Sequence, residues 1–145
     1  QLREKQKAKR VYGISEKQFR SYVTASQKAK NLTELLERRL DNVVFRLGFA
    51  PSRPAARQLV SHMHILVNDK ILNIPSYRTK VGDIVALDTK GQKIPEVQKT
   101  IEKTQVSIVA WLERKAAQGK VNRLPAKTDV QEPFSEQEII EFYSR

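Results

Sequence analysis

The chain has 145 residues, and its 27 Lys and Arg against 16 Asp and Glu give it a formal net charge of +11. It contains no cysteine, which excludes disulfides and thiolate metal sites, and no apolar run approaches the ~18 residues that a membrane span needs. The excess of positive charge indicates a polyanionic partner. Basic residues are concentrated in the first half: residues 1–30 carry nine against two acidic ones, whereas residues 132–145 carry one against four.

The first predicted elements are a basic segment, residues 1–10, and a helix that follows it. Ser15 and Gln18 have the spacing of a capping box, so the helix is expected to begin after Ser15. Phe19 and Val23 give this helix one apolar side. A helix this short cannot bury that side alone, so we expect it to pack against another part of the chain.

A long helix is predicted from the N-cap Asn31 to Gly48, which would end it in the left-handed conformation. Its apolar residues recur at helical spacing, since a turn of about 100° per residue places on one face Leu32, Leu36, Leu40, Val43 and Leu47. We expect Arg39 and Arg46 at the edge of that face, two turns apart.

A second, shorter helix is predicted to begin at the N-cap Ser52. Its small apolar residues would face the core, whereas Arg53 and Arg57 would share the opposite side. Together with Arg39 and Arg46, four arginines would then flank one small core without filling it. This arrangement suits the binding of phosphates.

The next segment has β character. Ile65 and Val67 alternate with more polar neighbours, a turn is predicted at residues 68–69, and residues 71–74 are expected to return as a strand. Further elements are predicted beyond this hairpin: a strand at 84–87, a helix at 95–103 and two strands around a polar turn at 116–119. Trp111 is expected in the core.

The last residues predict a short helix with Ser135 as its N-cap, where Phe134 and Ile139 can form a hydrophobic staple. Neither chain end can bury its apolar residues alone, so we expect the two ends to pack together. The predicted fold is therefore α+β. A small helical domain is formed by residues 1–34 and 132–145, and an inserted domain, residues 35–131, packs two to three helices on a small, mainly antiparallel sheet.

Five motifs carry a resemblance to a known family. In chain order they read L-E-R-R-L-D-N, R-L-G-F-A, S-R-P-A-A-R-Q-L-V, H-I-L-V-N and N-I-P-S-Y-R. Their order closely resembles the RNA-binding domain named after small-subunit ribosomal protein four. The flanks Q-L-R-E-K-Q-K, V-Y-G-I-S-E-K-Q-F-R and I-I-E-F-Y-S-R resemble bacterial and organellar members of that ribosomal family, so the resemblance covers nearly the whole chain.

The resemblance implies a structural, non-enzymatic protein of the small ribosomal subunit. It would bind 16S-type rRNA directly, nucleate assembly of the five-prime domain and contribute to translational accuracy, without a cofactor or a metal. Its other partners would be neighbouring ribosomal proteins, notably small-subunit protein five, and in some bacteria its own messenger RNA. The location would be a cytoplasmic or organellar ribosome, not a membrane. Family members usually carry a further N-terminal arm, in some cases with a zinc-binding cysteine cluster, and we expect this sequence to lack it.

Basic side chains on both domains are expected to neutralise closely packed phosphates, while Asn, Ser, Tyr and His groups fix the register. In the helical domain the candidate RNA-binding residues are Arg3, Lys5, Lys7, Lys9, Arg10, Tyr12 and Arg20. In the inserted domain they are Arg38, Arg39, Arg46, Arg53, Arg57, His62, His64, Asn68, Asn73, Ser76, Tyr77, Arg78 and Lys80. No catalytic residue is predicted.

Several of these residues have a second interpretation. Tyr77 suits a core as well as it suits stacking on a splayed base. His62 and His64 resemble a pair of metal ligands, but the chain has no third His and no Cys, so hydrogen bonding to phosphates or bases is favoured. Met63 stands where family members have Gly, so it must adopt a strained conformation or shift the end of its helix.

Two other functions stay open. A free-standing RNA-binding factor that acts on ribosomal particles would not need the helical domain. An RNA-modifying enzyme is suggested by R-L-D at residues 39–41, a motif of pseudouridine synthases, but here the tripeptide lies inside a predicted helix. We expect Asp41 to pair with Arg38 on the outer side of that helix. No catalytic domain of ordinary size remains in the chain.

Overall fold

The computed structural model describes residues 1–27, 31–104, 108–130 and 134–144. Within these ranges the helices are α1 Leu2–Tyr12, α2 Glu16–Ser26, α3 Leu32–Glu37, α4 Leu40–Arg46, α5 Arg53–Ser61, α6 Thr89–Gln92, α7 Pro95–Lys103 and α8 Glu136–Tyr143. A 3-10 turn covers Lys127–Asp129. The strands are β1 Ile65–Val67, β2 Lys70–Ile71, β3 Ile84–Leu87, β4 Leu112–Lys115 and β5 Gln118–Val121. The predicted α+β class is confirmed.

The strands form one antiparallel sheet in the order β2-β1-β3-β5-β4. The chain divides into two compact units. The end unit comprises residues 1–37 and 126–145, and the central unit comprises residues 38–125 and contains the sheet. The assignment of residues 1–34 with 132–145, and of residues 35–131, to two RNA-binding domains stays a prediction.

The local signals for helix ends are confirmed. Each predicted N-cap accepts a hydrogen bond from the backbone N–H three residues later, and these caps are Ser15, Asn31, Ser52 and Ser135. Gly48 has a φ of 79°, as expected for the residue that follows a helix. Met63 also adopts a positive φ, 67°, so it accepts the strained conformation rather than shifting the end of α5.

The core of the end unit is built from both ends of the chain. Ile139 of α8 is fully buried in the same apolar cluster as Phe19 and Val23 of α2. The ring of Tyr12 lies edge-on to that of Phe134, with the ring centroids 6.2 Å apart. Helices α2 and α8 therefore bury apolar sides that neither could bury alone.

Glu16 joins three helices of the end unit. Its carboxylate lies 2.7 Å from Lys5 Nζ and 3.2 Å from Lys9 Nζ on α1, and accepts a 2.8 Å hydrogen bond from the Tyr143 hydroxyl on α8. Partial burial disfavours the ionised form, but hydrogen bonds from Lys5, Tyr143 and Lys9 together outweigh it and lower the pKa of Glu16 to about 2. The carboxylate therefore stays ionised except in strong acid.

We expect the end unit to lose stability in acid because of Glu16. A carboxyl whose pKa is lower in the folded chain stabilises the fold fully above its unfolded pKa of ~4.3. That contribution is lost as the pH falls towards the folded value of about 2. The urea concentration at which α2 loses half of its protection from amide exchange should therefore decrease as the pH is lowered from about 5 to about 3. Glu16→Gln keeps the shape of the side chain but cannot ionise, so it should lose less over the same interval; an equal loss in both proteins would contradict this origin.

The prediction of one continuous helix over residues 31–47 is wrong. Helices α3 and α4 are separated by an extended residue, Arg39, with a φ of −58° and a ψ of 141°. The N–H groups of Leu40 and Asp41 donate to carbonyls of residues 75–77, at 2.8 and 3.0 Å. A distant loop thus supplies the acceptors that the preceding helical turn would otherwise provide.

The predicted hairpin is present, but its second strand is short. Asn68 and Asp69 both have a positive φ, 52° and 70°, which matches a two-residue type I′ turn. Strand β2 covers Lys70–Ile71 rather than residues 71–74, because the Ile74 carbonyl accepts from the Tyr77 N–H in a turn. The loop between β2 and β3 consequently covers residues 72–83.

The C-terminal part of the central unit follows the sequence prediction, except that the turn between its two strands covers residues 116–117 rather than 116–119. Helix α7 has the predicted bounds, and Trp111 is fully buried. Arg114 of β4 donates to the Leu47 carbonyl at 2.8 Å and to the Ile101 carbonyl at 3.1 Å, so it ties the carboxyl ends of α4 and α7 together. Within the described ranges, no helix has the length and apolar character to cross a membrane.

Candidate nucleic-acid interface

The arginines of α5 are held by residues of α4. Arg57 Nε donates to Asp41 Oδ2 at 3.2 Å, and Arg53 Nε donates to Asn42 Oδ1 at 2.9 Å. Both arginines are partly exposed, whereas Asp41 and Asn42 are buried. The two guanidinium groups are therefore restricted in orientation before any ligand arrives, which lowers the entropic cost of binding a phosphate.

A third arginine lies close to this pair. The guanidinium groups of Arg46 and Arg53 lie 5.8 and 4.8 Å from the centroid of the Phe45 ring. Arg57 follows Arg53 by one helical turn, so three cations share one surface of the central unit. This surface is suited to closely spaced phosphates.

Arg38 and Arg39 do not belong to this surface, because they are only 6% and 3% exposed. Arg39 donates to the Asp41 carboxylate through Nε and Nη2, at 3.1 and 3.0 Å, and Arg38 Nε donates to the Thr79 carbonyl at 2.9 Å. The expectation that Arg39 lies outside the core beside Arg46 is therefore wrong. The expectation that Asp41 lies on an outer helix side is wrong too, since the break before α4 brings Asp41 inside with Arg39.

A second group of candidates lies on the loop between β2 and β3. Ser76, Arg78 and Lys80 are exposed, whereas Thr79 is fully buried. The Thr79 N–H and hydroxyl both donate to the Arg38 carbonyl, each at 2.9 Å. Arg78 and Lys80 therefore flank an anchored residue and leave the loop on the same side.

Tyr77 belongs to the core more than to the surface. Its ring packs against the apolar cluster of the central unit, and its hydroxyl donates to Asp83 Oδ2 at 2.9 Å. Burial and this hydrogen bond raise the pKa of the Tyr77 phenol. The structure thus favours the core interpretation over the stacking platform.

The remaining polar candidates of the central unit differ in accessibility. The Asn68 side chain donates to Asp83 Oδ1 at 3.0 Å and accepts from the Ile84 N–H at 2.9 Å. His64 Nδ1 lies 3.1 Å from Asp88 Oδ1, whereas His62 and Asn73 are exposed. In the part of the chain that the structure describes, no cluster of His, Cys, Asp and Glu could hold a metal ion.

Ion pairs engage the lysines of α1. Lys5 is 8% exposed, pairs with Glu16 and lies 4.8 Å from the centroid of the Phe142 ring. Lys7 lies 3.1 Å from Glu4, and Lys9 shares Glu16 with Lys5. Lys5 and Lys9 therefore join α1 to α2, whereas the ion pair of Lys7 stays within α1.

Among the candidates of the end unit, Arg3, Arg10 and Arg20 are exposed. Tyr12, a predicted stacking residue, is 1% exposed and donates to Glu37 Oε2 at 2.7 Å, so it cannot stack on a base. The physical reason is that Tyr12 lies on the inward side of α1, towards the shared core.

Two exposed lysines that lie next to candidate residues were not among the sequence-based candidates. Lys17 precedes Arg20 by one turn on α2, and Lys70 follows the turn at residues 68–69. Helical spacing from Arg20 was a signal for Lys17. The buried carboxylates of Asp41 and Asp83 were also missed as organisers of the arginines and the loop, because a single sequence does not distinguish a buried acid from an exposed one.

Comparisons with known proteins match both parts of this arrangement. The profile of the S4 domain matches residues 38–85, which include α4, α5 and the loop with Arg78 and Lys80. The profile of the ribosomal protein S4/S9 N-terminal domain matches residues 1–42. Small ribosomal subunit protein uS4 of Xylella fastidiosa strain M12 is 50% identical over 154 aligned residues, covering 100% of this chain and 74% of that protein. The chain belongs to the uS4 family.

Other relatives agree. The uS4 protein of Chlorobium phaeovibrioides strain DSM 265 is 49% identical over 153 residues, covering 100% of this chain and 75% of that protein. The uS4 protein of Desulfitobacterium hafniense strain DCB-2 is 46% identical over 152 residues, covering 100% of this chain and 73% of that protein. The family resemblance inferred from the five motifs and their flanks is thereby confirmed. It places the exposed arginines in a family of ribosomal proteins rather than of enzymes.

Proposed function

We propose that this chain is a structural constituent of the small ribosomal subunit that binds 16S-type rRNA directly. The observation that carries the proposal is family membership over the whole chain, with the S4 domain matching the helices that bear the arginines. The mechanism is electrostatic and geometric. Cations held by the fold neutralise phosphates, and their fixed spacing selects the shape of the RNA.

Direct phosphate contacts are proposed for the candidates that are at least partly exposed and lie on a cationic surface. They are Arg46, Arg53, Arg57, Arg78 and Lys80 in the central unit, and Arg3, Arg10 and Arg20 in the end unit. Buried candidates such as Lys5, Arg38 and Arg39 stabilise the fold beneath these surfaces through their ion pairs and hydrogen bonds. Each unit carries its own exposed cations, so one chain can bind more than one RNA segment.

Binding to several segments is what ordering an RNA junction requires. We therefore include in the proposal that the chain nucleates assembly of the five-prime domain of 16S-type rRNA and affects translational accuracy. Small-subunit protein five is the proposed protein neighbour. The messenger RNA that encodes this chain is a proposed second RNA target. No catalytic role is proposed.

Sedimentation tests the ribosomal role. We expect the native protein to travel with intact small subunits through sucrose gradients at high salt, because a structural constituent is held by many contacts at once. A protein that leaves the subunits at high salt but still binds RNA would instead be a free-standing factor that acts on ribosomal particles.

Affinity for a transcript of the 16S-type five-prime domain should fall steeply with salt. If several phosphates are neutralised together, binding weakens by at least about tenfold between ~50 and ~200 mM salt. Arg53→Gln with Arg57→Gln should reduce the slope of log affinity against log salt by about 1 per arginine. The matched control is Lys99→Gln with Lys103→Gln, which removes equal charge from exposed positions of α7. A flat response of the parent protein in filter binding would remove the electrostatic mechanism.

A further inference from the structure

Asp83 is a buried carboxylate beside a cationic loop. It is only 6% exposed, although acids are rarely buried unless their oxygens are satisfied. Oδ1 accepts from Asn68 Nδ2 at 3.0 Å, and Oδ2 accepts from the Tyr77 hydroxyl and the Lys80 backbone N–H, each at 2.9 Å. Three donors therefore share the two oxygens of Asp83.

These donors connect the loop to the sheet. Asn68 belongs to the turn between β1 and β2, and its Oδ1 accepts from the Ile84 N–H at 2.9 Å, where β3 begins. Tyr77 and Lys80 belong to the loop itself. The loop ends in a turn in which the Asp83 N–H donates to the Lys80 carbonyl at 3.0 Å. One carboxylate thus joins the hairpin turn, the loop and the start of β3.

The hydrogen bonds to Asp83 do not engage the charged groups of Arg78 and Lys80. Asp83 accepts from the backbone N–H of Lys80, not from its ammonium group. Within the described ranges, neither Arg78 nor Lys80 has a side-chain hydrogen bond or an ion pair with another residue, and both are exposed. The negative charge of Asp83 therefore fixes the segment without neutralising the two side chains that it carries.

We propose that Asp83 is a positioning residue that holds Arg78 and Lys80 in place for binding to adjacent phosphates of RNA. The inference rests on the proposed rRNA-binding function and names one device by which the central unit performs it. Thr79 anchors the middle of the segment through the Arg38 carbonyl, and Asp83 anchors its far end. Both anchors are required, because ordering the side chains of Arg78 and Lys80 on RNA costs less entropy only if the backbone that carries them is already fixed.

Positioning and plain electrostatics predict opposite results for Asp83→Asn. Removal of a negative charge near two cations would strengthen RNA binding if charge alone mattered. Asn offers a single acceptor oxygen, so it cannot accept from Asn68 on one side and from Tyr77 and Lys80 on the other. We expect affinity for the five-prime-domain transcript to fall about threefold to tenfold, and the salt slope to fall by about 1 to 2.

The matched control is Asp69→Asn, which removes the same charge from an exposed position in the neighbouring turn. Its positive φ of 70° suits Asn, so the control should keep its fold and bind at least as tightly as the parent. Tyr77→Phe removes one donor to Asp83 without changing charge or ring, and should weaken binding in the same direction by a smaller factor. This second variant keeps the test decisive if Asp83→Asn lowers stability.

A double-mutant cycle with Arg78→Gln and Lys80→Gln closes the test. In that background, Asp83→Asn should cause no further loss of affinity, because the side chains through which it acts are already gone. The inference is overturned if Arg78→Gln with Lys80→Gln leaves affinity unchanged, or if Asp83→Asn costs the same in both backgrounds. It is also overturned if Asp83→Asn and Tyr77→Phe bind RNA as tightly as the parent although the Arg78→Gln, Lys80→Gln variant binds RNA more weakly. That result would leave the proposed function intact. A parent protein with no salt-dependent RNA binding would reject the proposed function itself.

Discussion

Removal of residues 134–145 is expected to weaken binding to 16S-type rRNA, even though the truncated chain becomes more positive. The segment carries three Glu and one Arg, so its loss raises the net charge by two units. It also removes Ile139, whose complete burial is worth ~1.5 to 3 kcal/mol. The Tyr143 bond to Glu16 and the bonds from Leu32 and Thr33 to Glu136 are lost as well.

The combined loss is several kcal/mol, a large part of the ~5 to 15 kcal/mol that stabilises a typical domain. The end unit should therefore lose fixed packing, and its exposed cations should lose their spacing. Amide exchange should become faster at Phe19 and Val23 and change little from Ile65 to Val85, because the central unit has a separate core.

A charge-matched control separates packing from electrostatics. Glu138→Gln with Glu141→Gln also adds two positive units, but at exposed positions that leave α8 intact. This control should bind rRNA as tightly as the parent or more tightly. Unaltered exchange at Phe19 and Val23 in the truncated chain, or tighter binding by that chain, would show that α8 does not support the end unit.

Asp41→Ala is expected to be the most damaging single substitution in the central unit. The Asp41 side chain is 2% exposed and pairs with Arg39, whose side chain is 4% exposed, as well as with Arg57. Removal of one member of a buried ion pair costs about 3 to 5 kcal/mol, because the remaining charge loses its compensation inside the protein. The substitution also removes the acceptor that orients Arg57, so RNA binding should weaken even where the chain is still folded.

The fluorescence of Trp111 provides the measurement. It is the single Trp of the chain and is fully buried in the central unit, so urea unfolding followed at this residue reports on that unit. We expect the midpoint to fall by about 1 M or more. Asp69→Asn serves as the control for loss of one negative charge and should change stability by about 0.5 kcal/mol or less. If Asp41→Ala and Asp69→Asn shift the urea midpoint equally, the ion pair of Asp41 contributes no stability beyond the effect of its charge.

Much of the local structure could be predicted because its causes lie within a few residues. A side-chain oxygen three residues before an N–H is enough to begin a helix, which is why the caps at Ser15, Asn31, Ser52 and Ser135 were all predicted. The same holds for the hairpin turn at residues 68–69. The order of the five motifs also determined the family.

Other features depended on partners that are distant in sequence. The apolar spacing over residues 31–47 fits one helix or two, and only hydrogen bonds to residues 75–77 decide for two. Candidate site residues were affected in the same way. Helical spacing correctly placed Arg53 and Arg57 away from the core, but it placed Arg38 and Arg39 outside the core too, and only the tertiary structure showed that this second pair is buried.

We could infer from the sequence alone the α+β class, the positions of most helices and strands, the excess of positive charge and the membership of the uS4 family. Tertiary structure alone decided which charges face solvent and which hold the fold together. The reason is physical: a carboxylate such as Asp41 or Asp83 is buried only when donors from other elements converge on it. That convergence is a property of packing, and no local pattern of residues encodes it.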